Sequence, residues 1–184
     1  MRLATTLVLL LAAAPIASAS LAPEPDAGAA QVGAPFVTCH GENDAKLPAA
    51  VSLRAMRCLV NRVRSRHGAS DLRPSALLDR SSTLKAGAIE RCGELSHTAC
   101  GQSVLSVFEQ VHYVRGGNWA VGENLAHLVG GSARDALEGW LASPAHRRIL
   151  LSPNWRELGV GLRTRAEPSG ALGSVWVAHF GRRS

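Results

Sequence analysis

The side chains whose chemistry is most constrained by type and spacing are four cysteines, Cys39, Cys58, Cys92 and Cys100. A structural zinc site needs ligands in close pairs such as C-x2-C, and no two of these cysteines stand so close. An even number in a chain bound for an oxidising compartment points to two disulfides, for which four cysteines allow three pairings. Two local features favour Cys39–Cys58 with Cys92–Cys100. The second pair encloses only Gly93 to Ala99, with Gly93 available for a turn, and the first would tie an N-terminal arm to a helix carrying Cys58. Spacing by itself does not choose among the three. Nucleophilic chemistry has little to build on, because there is no G-x-S-x-G elbow and bridged cysteines supply no thiolate. There is also no H-E-x-x-H, P-loop or dinucleotide fingerprint.

The elements that must hold these cysteines begin after an export signal. Arg2 is the only charge in MRLATTLVLLLAAAPIASAS, Leu3 to Ala14 is apolar apart from two threonines, and Ala17-Ser18-Ala19 places cleavage after Ala19. The apolar run is too short to span a bilayer of about 30 Å, and no second run of spanning length follows. A mature protein without a transmembrane anchor is expected, secreted to the extracellular space or the periplasm. Residues 20–37 are rich in Ala, Pro and Gly and read as a flexible leader, so the folded domain is expected over 38–182.

Helix signals follow. Leu53, Met56, Val60 and Val63 form one stripe between Pro48 and His67, and Gly68 ends it. Arg54, Arg57, Arg62 and Arg64 lie mostly off that stripe and read as a solvated face, with a polyanion site as the alternative. A second helix starts after Ser75 and runs to about Glu94, a third starts after Ser132, and Ser143-Pro144 opens a short fourth. Alternation in Leu158–Leu162 and Gly173–Phe180, with a Pro-Ser-Gly turn between, predicts a terminal hairpin. Helices first and a small antiparallel sheet last define an α+β domain. Trp140, in line with Leu137 and Leu141, is expected in the core rather than on a ligand.

The chain of 184 residues carries a net charge of +6, and signal removal leaves 19 basic against 14 acidic side chains. One domain of ordinary size fits that length. The positive charge suits encounters with anionic wall polymers, lipid headgroups or extracellular nucleic acid. With one Tyr, three Phe and four Trp, the base-stacking platforms of specific nucleic-acid recognition are missing.

Six segments in order carry a further signal: Cys58-Leu-Val-Asn-Arg62, Leu95-Ser-His-Thr98, Val121-Gly-Glu-Asn-Leu-Ala126, Trp140 to Leu150, Glu157-Leu-Gly-Val-Gly161 and Val175-Trp-Val-Ala-His-Phe-Gly181. The series resembles the bacterial branch of the CAP superfamily (cysteine-rich secretory proteins, antigen 5 and pathogenesis-related 1 proteins; SCP-like) over about Cys39 to Gly181. The resemblance implies a three-layer α-β-α sandwich, an extracytoplasmic role and the Cys39–Cys58 pairing, but no particular reaction. It also implies a cleft lined by two His and two acidic residues. His97, Glu123 and His146 match three of them. The position of the fourth, three after the helix Trp, is Ser143. Glu138 precedes Trp140 by two and would point about 140° away, which makes it a poor substitute. His179 in the last strand is placed to face the same cleft. His40-Gly41-Glu42-Asn43 copies the Gly-Glu-Asn letters without the following Leu-Ala.

Two imidazoles and a carboxylate suit weak, exchangeable Zn²⁺ or another divalent metal, acid–base work, or plain bracing of the cleft by mutual hydrogen bonds. The expected function is a secreted, monomeric, non-enzymatic binding module that requires no cofactor. Its ligand would be a metal, a lipid or sterol as the resemblance allows, or an anionic wall polymer. The alternative is a metal-dependent extracellular hydrolase acting on peptide or wall polymer, with Ser96 and Ser143 the only serines beside the cleft.

Overall fold

The computed structural model describes residues 38–184, and the expected signal peptide and leader lie outside the described residues. Its elements are α1 (Ala49–Arg66), β1 (Arg73–Pro74), α2 (Ala76–Cys92), a 3-10 turn (Ala99–Gly101), α3 (Ser106–Gln110), β2 (Trp119–Val129), α4 (Ala133–Ala142), α5 (Pro144–Leu151), β3 (Glu157–Ala166) and β4 (Leu172–Arg183). The boundaries follow local chemistry. Gly93 takes a left-handed conformation (φ 63°) that ends α2. Ser132 and Asp135 close a capping box that starts α4. Pro144 stands at the first turn of α5, where its missing N–H is no loss.

One sheet of four strands, in the order β1-β3-β4-β2, forms the middle layer. The hairpin of β3 and β4 is antiparallel, and β2 adds antiparallel to β4 with Glu123 opposite His179. The two-residue β1 pairs parallel to β3. Alternation along β4 divides the core. Trp176, Ala178 and Phe180 pack with α1, α4 and α5, whereas Val175 and Val177 pack with α2. The result is an α-β-α sandwich. Trp140 is 1% exposed in the first core and donates its indole N–H to the Leu125 carbonyl at 2.9 Å.

α2 approaches the sheet at backbone distance because β3 reads Glu-Leu-Gly-Val-Gly at that point. A Cβ on Gly159 would overlap the Leu78 carbonyl, and one on Gly161 would overlap that of Ser82. Small residues every second position therefore fix where the helix lies.

Two expectations are corrected. The sheet contains β2, an eleven-residue strand whose alternation is masked by Gly122, Glu123 and Asn124. Of the four arginines expected on a solvated face of α1, Arg54 is exposed but the other three are not free in solvent. Arg57 pairs with Asp79 at 2.6 Å and Arg62 with Glu42 at 3.0 Å. Arg64 is fully buried and donates to the carbonyls of Ser70, Leu150 and Ser152. It holds the C-terminal carbonyls of α5, where a cation is favoured. Glu42, from the Gly-Glu-Asn look-alike, is itself buried and joins Arg62, Arg134 and the Cys39 N–H, which pins the arm to α1 and α4.

Candidate functional site

Glu123 and His179 face each other across β2 and β4, so their side chains leave the sheet on the same side, toward α2. His179 Nε2 lies 2.8 Å from Glu123 Oε2. The other carboxylate oxygen, Oε1, lies 2.6 Å from His97 Nδ1. His97 comes from the segment between α2 and the 3-10 turn, which the Cys92–Cys100 disulfide brackets; Cys39–Cys58 is the second bridge. Lys85, buried on α2, donates to the His97 carbonyl and fixes that segment from below.

Burial pushes the Glu123 carboxyl up. The hydrogen bonds from His179 and His97, with the electrostatic attraction of His179 and Lys85, overcome this and hold it at about 2. The carboxylate is therefore ionised, and each imidazole presents an N–H to it. For His179, burial outweighs the attraction of Glu123 and lowers the pKa. Neutral His179 then places its proton on Nε2 and accepts at Nδ1 from Ser81 Oγ, 2.7 Å away. Ser81, His179 and Glu123 have the order of a nucleophilic triad, but Ser81 is fully buried and cannot meet a substrate. The chain Ser81–His179–Glu123–His97 is instead a rigid support that ends at the one member in contact with solvent. His97 is half exposed, and with Nδ1–H directed at Glu123 its Nε2 is available on the open side.

Above this support lies a cleft of about 380 Å³ beside β2, the outer strand of the sheet. His97 and Phe108 form one side of it. His146, Ile149 and Trp155 form the other, with Glu123 at the base. The His146 pKa is lowered, first by burial and then by the neighbouring His97. α5 is attached to β2 through Asn124, whose side-chain N–H donates to the His146 carbonyl at 3.1 Å. The structure thus brings His97, Glu123 and His146 to one cleft. His179 lies behind it under Phe108, with ring centroids 4.3 Å apart. Glu138 points away on the exposed face of α4 toward Arg134, and Ser143 caps α5 outside the cleft lining. Ser96 bonds to Thr98. Sequence reasoning missed Ser81 and Lys85. Their signal is positional: with Leu78 and Ile89 they fall on the buried stripe of α2, where a polar side chain demands a partner.

The fit to a metal is limited. Both Glu123 oxygens are engaged by imidazoles, and among the described residues no three His, Cys, Asp or Glu side chains are placed to hold an ion.

The model of the cysteine-rich secretory protein (CAP) family matches residues 58–180. The chain belongs to the CAP family. Solved structures agree on the CAP fold. An outer surface protein of Borrelia burgdorferi superposes with a TM-score of 0.61 at 17% identity, over 75% of this chain and 97% of that one. An extracellular SCP-domain protein of Bacillus anthracis gives 0.61 at 24% identity, over 74% of this chain and 44% of that one. A cysteine-rich secretory protein of Staphylococcus aureus gives 0.54 at 17% identity, over 72% and 39%. This chain spans less than half the length of the last two. Among curated proteins, no sequence match is found. Among the described residues, no helix is long and apolar enough to cross a membrane.

Proposed function

We propose that this CAP domain is an exported, monomeric binding module whose cleft receives a small ligand with an apolar body and one polar end. The carrying observation is the engagement of both Glu123 oxygens by His97 and His179, which makes the carboxylate a support rather than a free base or metal ligand. What it leaves for a ligand is an open imidazole nitrogen on His97, with His146 opposite and Phe108, Ile149 and Trp155 as apolar walls. Few polar groups in a mostly apolar recess is the usual composition of a small-molecule site. A lipid or sterol fragment fits this description. Export is supported by the N-terminal sequence and by the extracellular and outer-surface descriptions of the structural neighbours.

The test uses a fluorescent fatty acid and the mature protein with and without a chelator. Binding is expected to persist in chelator and to be lost in Ile149→Trp, which fills the cleft, at an unchanged melting temperature. Chelator-sensitive turnover of a peptide or wall polymer that Glu123→Ala abolishes would instead establish the hydrolase.

A further inference from the structure

A second recess, of about 120 Å³, lies further along the sheet and shares no lining residue with the cleft. It forms where the C-terminal half of α2 meets the far ends of β2, β3 and β4. Ile89, Leu95 and Val175 give it an apolar floor, and Arg163, Arg165 and Glu90 supply its charges. On β3, Arg163 and Arg165 continue the face that begins with Gly159 and Gly161, so both reach toward α2.

The charges are arranged unusually for a structural surface. Arg163 Nε and Nη2 and Arg91 Nη1 all stand 3.7 Å from the point where a Cβ on Gly87 would lie, so two guanidinium groups converge over one spot on α2. Neither has an acidic partner among the described residues, although elsewhere Arg57, Arg62 and Arg134 are all paired. Arg91 is accounted for in part by its place in the last turn of α2. Arg163 has no such reason. Arg165 is aimed by Glu167, which accepts from its Nε at 3.2 Å and leaves the terminal nitrogens free. Glu90 lines the same recess and is likewise unpaired.

We propose that this recess binds a phosphorylated polyol. The phosphoryl oxygens would take the charge-assisted hydrogen bonds of Arg163, with Arg91 and Arg165 adding positive potential, and so relieve the repulsion between the guanidinium groups. A neighbouring hydroxyl would donate to Glu90, which a bare phosphate would leave facing an anion. The apolar floor accommodates the carbon chain. The same chemistry occurs in a free polyol phosphate and in the repeat of a phosphodiester wall polymer.

The test is calorimetric titration of the mature protein at low salt with glycerol 3-phosphate, inorganic phosphate and a short poly(glycerol phosphate). Glycerol 3-phosphate is expected to bind more tightly than phosphate. Arg163→Ala should weaken it about tenfold or more, and Arg163→Lys should restore only part because the planar fork is lost. Arg115→Ala, at an exposed position outside the recess, should leave it unchanged. Glu90→Ala should weaken glycerol 3-phosphate and strengthen inorganic phosphate. Tighter binding of the oligomer would identify the polymer as the source, and binding of the monoester alone the free metabolite. Absence of binding by all three probes, equal losses in Arg115→Ala and Arg163→Ala, or full affinity in Arg91→Ala/Arg163→Ala would overturn the assignment.

Discussion

At the scale of single residues, the support behind His97 behaves differently from an ordinary polar surface group. Removing the His179 imidazole strands an ionised, buried Glu123 oxygen, so His179→Ala should destabilise by about 3 kcal/mol or more, because the acceptor left without its donor is charged. Ser81→Ala loses one neutral hydrogen bond and should cost about 1–3 kcal/mol. Equal melting temperatures for the two variants would contradict the support chain. The same residues set an acid limit. Glu123 is depressed from 4.5 to about 2, so its contribution is complete above pH 4.5 and is lost as pH falls toward 2. His179 is held neutral by burial, so its contribution is complete above about 6.5 and declines as pH falls below that value. Both act in one direction. Melting temperature should fall as pH drops from 7.5 to 4, and His179→Gln should flatten the upper part of that curve. For Zn²⁺, the two imidazoles His97 and His146 predict weak binding at pH 7.5 that is lost in His146→Ala, measured by calorimetry. Equal affinity in His146→Ala and the unaltered protein would mean a different ligand set.

At the scale of elements, the glycines of β3 decide the depth of α2. Gly161→Ala places a methyl group against the Ser82 backbone, which cannot rotate away as a side chain can. It should cost more than the ~1–3 kcal/mol common for overpacking. Gly139→Ala, with open space at its Cβ, should be neutral or stabilising. Denaturant midpoints distinguish them. Trp140→Ala should lose roughly 3–5 kcal/mol, because burial and its bond to Leu125 go together. These elements also show what the sequence could convey. The four longer helices and the terminal hairpin were legible because caps, apolar stripes and alternation are local. β2 was not, because it owes its place to pairing with β4 and its central residues serve the site instead of a hydrophobic face. The arginines of α1 were misread for a related reason. Helical spacing tells which face a side chain leaves from, but not that Asp79, Glu42 or the end of α5 will meet it there. His97, Glu123 and His146 were located by motif order; that Glu123 is saturated by two imidazoles emerges only from the strand register.

For the molecule as a whole, two bridges and an excess of positive charge act at different places. Peptide mapping without reduction should recover Cys39–Cys58 and Cys92–Cys100 and no free thiol. Loss of Cys39–Cys58, which spans 19 residues, should destabilise by about 2–4 kcal/mol, and loss of the 8-residue bridge by less, because shorter loops restrict the unfolded chain less. The charge is unevenly used: on α1, Arg57, Arg62 and Arg64 hold the N-terminal arm, α2 and α5 together, while on β3 Arg163 and Arg165 remain open to solvent.

The short bridge between Cys92 and Cys100 has a consequence for both recesses. The segment it closes carries Leu95 into the recess and His97 into the cleft, and Cys100 itself holds a left-handed backbone (φ 60°) rarely taken by residues other than glycine. Of that segment, Ala99 alone joins the cores of the sandwich, packing with Ala86, Ile89 and Leu125. With the bridge reduced, Ala99 and the Lys85 bond to the His97 carbonyl still hold two points of the segment, so the bridge acts mainly on how firmly Leu95 and His97 are presented at their two separate recesses.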